Sequence, residues 1–97
     1  MPNATLVLDY REALSPDFIV MVKIWLLPVP VPGSAHLFKY SMFFGRPGER
    51  AVLYDNERGK GDHRHYDGRE EPYRFTLIEQ LMADFNADIR RVRGTHR

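Results

Sequence analysis

The chain has 97 residues, 43% hydrophobic and 28% charged, with fourteen Lys or Arg against thirteen Asp or Glu, four histidines and no cysteine. That length suits one hydrophobic core and is short for two, and the composition excludes a disordered chain. A net charge of +1 excludes a global cationic field for nucleic acid, and the lack of thiols excludes a disulfide framework and a cysteine nucleophile, in keeping with a reducing cytoplasm.

Met1-Pro2-Asn3 lacks the basic start of a secretory signal, and the first apolar run, from Phe18, contains Lys23 and meets Pro28, so neither a signal nor a membrane span is expected. Alternation of Ala4, Leu6, Leu8 and Tyr10 with Thr5, Val7, Asp9 and Arg11 predicts a first strand with one buried face, followed by a turn at Ser15-Pro16-Asp17. Phe18 to Leu27, apolar on both faces and rich in β-branched residues, predicts a central strand. Pro28, Pro30 and Pro32 with Gly33 end it in an extended connection, because proline removes a donor and fixes φ. His36 to Phe44 predicts a third strand, Pro47-Gly48 a turn, and Arg50 to Tyr54 a fourth strand.

Thr76 with Glu79 matches a capping box, and Ile78, Leu81, Met82, Phe85, Ile89 and Val92 recur at helical spacing. Arg90, Arg91 and Arg93 suit the negative end of the dipole, and Gly94 stands at a C-cap position. The expected fold is α+β in one domain. An antiparallel four-stranded β-meander over residues 4–54 is packed by a C-terminal α-helix over 76–93, with a charged loop over 55–75. A chain this short leaves room for a homodimer.

Chemistry concentrates in that loop. Tyr54 to Tyr66, YDNERGKGDHRHY, gathers Asp55, Asn56, Lys60, Asp62, His63, Arg64, His65 and Tyr66 around two glycines. In extended backbone His63 and His65 project to one side, about 6–7 Å apart. Such a pair can flank a phosphodiester, one imidazole taking the proton of a 2′-hydroxyl and the other giving one to the leaving oxygen. Lys60 and Arg64 would bind phosphate, Tyr66 would donate a hydrogen bond or stack on a base, Asp62 would orient a histidine, and Asp55 with Asn56 would fix the loop. This constellation needs neither metal nor cofactor.

Two other readings use the same residues. In one, Asp55, Asp62, His63 and His65 are ligands for zinc or manganese, although their spacing matches no named metal motif. In the other, the stretch is a solvated turn or an interaction surface without chemistry. Gly59-Lys60-Gly61 has the freedom for a phosphate nest but lacks the Walker A spacing. From Asp55 to Glu71 six acidic residues outnumber four basic ones, so RNA affinity would need the arginines of RRVRGTHR. His36 stands alone and reads as structural.

The run YDNERGKGDHRHYDGREEPYRF, followed by LIEQLMADFNADI, resembles the TumE family of bacterial type II toxin–antitoxin modules. The likeness rests on Tyr54-Asp55-Asn56, on Gly59-Lys60-Gly61-Asp62-His63 with His65, and on Tyr73 and Phe75 before the helix. It reaches back through PVPGSAHLFKYSMFF and covers most of the chain. The resemblance implies a small cytoplasmic toxin encoded beside a DNA-binding antitoxin that neutralises it and represses the pair. Many small toxins of sheet-and-helix build cleave RNA, and by that analogy RNA cleavage is the expected activity.

Overall fold

A computed structural model describes residues 3–14 and 16–95. Its elements are β1 (Thr5–Leu14), β2 (Phe18–Leu26), β3 (Phe38–Arg46), β4 (Glu49–Glu57), β5 (Gly61–Tyr66), β6 (Arg69–Pro72) and α1 (Ile78–Thr95). The strands form one antiparallel sheet in the order β1-β2-β3-β4-β5-β6. The expected α+β meander is therefore present, with six strands rather than four.

The two added strands replace most of the expected loop at 55–75. Asp67 and Gly68 have φ values of 55° and 74°, the left-handed pair that a two-residue primed hairpin requires. They close the Tyr66↔Arg69 pair and set Arg64 opposite Glu71 and His65 opposite Glu70. Charged residues are poor strand formers in isolation, but opposite charges facing across a ladder support it.

The side chains of β2 alternate between a helix-covered face and an open one. Phe18, Val20, Val22 and Ile24 are buried with Tyr40, Met42 and Phe44 of β3 and Val52 and Tyr54 of β4. Leu81, Phe85 and Ile89 of α1 close over them, each such side chain adding roughly 1.5–3 kcal/mol by leaving water. Met21 and Lys23 face outward and are exposed, so β2 is central in order but covered on one face only. Of the face expected to be buried on β1, Leu6 and Tyr10 are exposed and Ala4 and Leu8 only partly buried, while Leu14 also packs at the margin of the core. A bulge between Leu6 and Leu8 shifts the register there, and α1 lies over β4, well away from this edge.

The helix begins at Ile78 because its first bond runs from Leu81 N–H to the Leu77 carbonyl, which makes Leu77 the cap residue in place of Thr76. It continues through Gly94, which is not a C-cap. The proline segment folds back on the sheet, with Leu27 N–H donating to Leu37 O and Gly59 N–H to Pro32 O. Gly33 and Gly61 meet there. A Cβ on Gly61 would lie 2.8 Å from Gly33 O, so both a positive φ (76°) and this close approach require glycine at 61.

Candidate functional site

Successive side chains of a strand point to opposite faces, and β5 consequently divides the expected constellation in two. Asp62, Arg64 and Tyr66 pair with Asn56, Tyr54 and Val52 on the helix-covered face. His63 and His65 pair with Asp55 and Leu53 on the open face. Lys60, in the β4–β5 turn, reaches the open side, where its Nζ is 3.6 Å from Glu70 Oε1.

On the open face the two imidazoles meet edge to face with centroids 5.6 Å apart. His63 is only 4% exposed. Its Nδ1 lies 3.2 Å from the Gly61 carbonyl, which can only accept, so this contact is made by an Nδ1–H donor. Its Nε2 stands 2.6 Å from Asp55 Oδ1 and 3.8 Å from Glu70 Oε1. The Asp55 contact is close but poorly directed, and both Nε2 and Oδ1 are buried without a hydrogen bond. His65 Nε2 lies 3.5 Å from Glu70 Oε2. The donor atoms of His63, His65 and Glu70 fall within 4.8 Å of one another, as do those of Asp55, Glu57 and His63. A shallow recess of about 280 Å³ opens beside them, lined by Lys60, Asp62, His63, Glu70, Glu71 and Pro72.

On the helix face the polar groups pair with one another. Asp62 does engage a histidine, but it is His36: Nε2 lies 2.6 Å from Asp62 Oδ2, while Nδ1 accepts from Phe38 N–H. Tyr40 OH donates to the same oxygen at 2.7 Å and Ser34 Oγ to the other at 2.6 Å. Burial, and then this bond to Asp62, push the Tyr40 pKa far up. Asn56, fully buried, accepts from Tyr40 N–H and donates to Phe38 O and Ser34 Oγ. The His36 ring stacks on Phe75 at 3.8 Å, so His36 is structural but far from isolated.

Arg64 and Tyr66 are likewise engaged. Arg64 Nη1 donates to Tyr54 OH and to Asp88 Oδ2, both at 3.1 Å, and Nε faces Glu71 at 3.5 Å. Burial works to lower its pKa, but the bonds to Tyr54 and Glu71 outweigh burial and the net shift is upward. Asp88 is fully buried, accepts the Tyr54 hydroxyl proton and pairs with Arg91. Burial raises the Tyr54 pKa although Arg64 opposes it. Tyr66 OH accepts from Arg91 Nε at 3.0 Å, and its ring lies beneath the Arg91 and Arg64 guanidinium groups. Tyr73 OH donates to Asp84, and burial and then that bond raise its pKa. The Gly59 amide is committed to Pro32 and Lys60 N–H donates to Glu57 O, which removes both from any phosphate nest.

Sequence reasoning missed Glu70, the residue that joins His63, His65 and Lys60. The signal was present. Asp67-Gly68 is a strong hairpin dipeptide, and counting outward from it pairs His65 with Glu70. Asp88 was also missed, because an acidic residue inside the apolar stripe of a helix is ordinarily placed on the solvent side.

Comparison with curated proteins and with solved structures gives no match. A family model described as toxin TumE matches residues 3–93, nearly the whole chain and every element above except the end of α1. That match carries a toxin function and, in general terms, an antitoxin partner. The chain belongs to the TumE toxin family.

Proposed function

We propose that the protein arrests growth by cleaving RNA at the open-face cluster, with His63 and His65 as its centre. The observation that carries this reading is the pair of imidazoles on one face at 5.6 Å, beside a recess edged by Lys60. Lys60, at the rim and more than half exposed, is the cation available to phosphoryl oxygens. Arg64, Tyr66 and Asp62 support the cluster from behind by fixing β5 rather than by touching substrate. Two freely moving imidazoles exchanging protons fit this geometry poorly, since His63 is buried between Gly61 O and Asp55. Purified protein incubated with total RNA and divalent metal ions tests the reading: wild type cleaves and a His63→Ala, His65→Ala chain does not. Absence of cleavage by wild type, or undiminished cleavage by the double variant, overturns it.

A second reading gives the open face to a binding partner, the cognate DNA-binding antitoxin or a growth target. It is favoured by exposed Leu6 and Met21 beside the partly exposed Ile19, Trp25, Phe43 and Leu53 on that face. On this reading growth arrest survives loss of both histidines and falls when Trp25 or Phe43 becomes charged.

A further inference from the structure

The geometry points to a divalent transition-metal site on the open face, with His63, His65 and Glu70 as ligands and Asp55 against the remaining position. Its purpose rests on the RNA-cleaving reading; its binding does not.

The argument starts from the His63 tautomer. With Nδ1 directed at Gly61 O, the ring turns Nε2 toward the Asp55 carboxylate at 2.6 Å. An imidazole nitrogen and a carboxylate oxygen this close, buried and without a directed hydrogen bond, call for a shared proton or a metal cation beside them. A proton would serve for that pair alone. It would leave unexplained why His65 and Glu70 converge on the same place, with Glu70 oxygens 3.8 Å from His63 Nε2 and 3.5 Å from His65 Nε2. Ligand atoms about 2.0–2.2 Å from a tetrahedral ion stand about 3.3–3.6 Å from one another, and the atoms here, all within 4.8 Å, need only small side-chain rotations to bring one Glu70 oxygen to both imidazoles. The Asp55 contact is shorter than that, so Asp55 must draw back slightly to join or to hold a water in the fourth position.

The surroundings support an ion independently. A ligating imidazole commonly donates its second N–H to a carbonyl, which fixes the ring, and Gly61 O plays that part here. The ligands sit on paired strands, with His63 and His65 two residues apart on β5 and Glu70 opposite His65 on β6, so the site is held by the ladder. Charge points the same way. Asp55, Glu57 and Glu70 with neutral histidines form an acidic patch that repels a phosphodiester, and Lys60 already lies against Glu70. A dication together with Lys60 neutralises that patch and would supply a Lewis acid for the phosphoryl oxygens. Two imidazoles and carboxylates suit zinc or another first-row ion; magnesium, which favours oxygen ligands, should be bound far more weakly.

The test is calorimetric titration of zinc and of magnesium into untagged protein freed of metal with a chelator. Zinc is expected to bind at one equivalent, with affinity at least about tenfold weaker in His65→Ala and in Glu70→Gln. Both positions are more open than His63, and circular dichroism confirms that the variants are folded. The proposal is overturned if zinc shows no saturable binding, or if both folded variants bind as wild type does. The two readings fail separately. Zinc binding without RNA cleavage upholds the ion and removes the nuclease, whereas full cleavage by chelated protein that takes up no zinc removes the ion and upholds the nuclease.

Discussion

The two faces of the β4–β5–β6 corner carry similar residue types to opposite ends. On the helix face Asp62 receives three donors and Asp88 Oδ2 meets Tyr54 and Arg64, while Asp88 Oδ1 is buried without a directed hydrogen bond but lies against the Arg91 guanidinium. On the open face His63 Nε2 and Asp55 Oδ1 lie in contact without a directed bond, and Glu70 reaches three neighbours at 3.5 Å or more. Full satisfaction marks a group that holds the fold together. A converging set of imidazoles and carboxylates without directed bonds suits a bound cation, whereas Asp88 Oδ1 already has the Arg91 guanidinium.

The contrast breaks most sharply at Asp88. Asp88→Ala removes the acceptor of the Tyr54 hydroxyl and the buried carboxylate partner of Arg64 and Arg91, and is expected to cost about 3–5 kcal/mol, read from denaturant unfolding. A loss below about 1 kcal/mol would mean that the buried cluster does not clamp α1 to the sheet. Asp62→Ala strands Ser34, His36 and Tyr40 and should cost about 1–3 kcal/mol in the same assay.

Alkaline pH probes the same face without mutation. Tyr40, Tyr54 and Tyr73 all have folded pKa values raised above that of unfolded tyrosine, near 10. Their contribution is therefore complete below about pH 10 and is lost as pH rises toward the folded values, by up to about 1.4 kcal/mol per pH unit for each tyrosine. A Tyr40→Phe chain should show a shallower alkaline fall in unfolding midpoint than wild type, and equal slopes would show that Tyr40 keeps no such proton.

The smallest expected effect on stability sharpens the contrast from the other side. Glu70→Gln, at an exposed strand position, should change unfolding by no more than about 0.5 kcal/mol while weakening zinc binding at least about tenfold. A large destabilisation would place Glu70 among the structural ion pairs of the opposite face.

Much of the fold was legible in the chain. The apolar stripe from Ile78 to Val92 gave the helix, and short turns at Pro47-Gly48 gave an antiparallel meander. The last two strands were not read, because a stretch dense in Asp, Glu, Arg and His resembles a loop by composition. Its hairpin dipeptide at Asp67-Gly68 carried the opposite information. The buried role of β1 was overestimated, since alternation records which residues share a face and not whether anything covers that face.

Of the expected site residues, the sequence by itself determined that His63 and His65 share one side, because that follows from the period of a strand alone. The same period, once β5 exists, sends Asp62, Arg64 and Tyr66 to the other side, where long-range partners decide their work. Only the tertiary structure could decide that His36, twenty-six positions away, is the histidine of Asp62. It alone brings Glu70 to His65 and Asp55 to His63, because such pairings depend on which strands lie side by side and in what register.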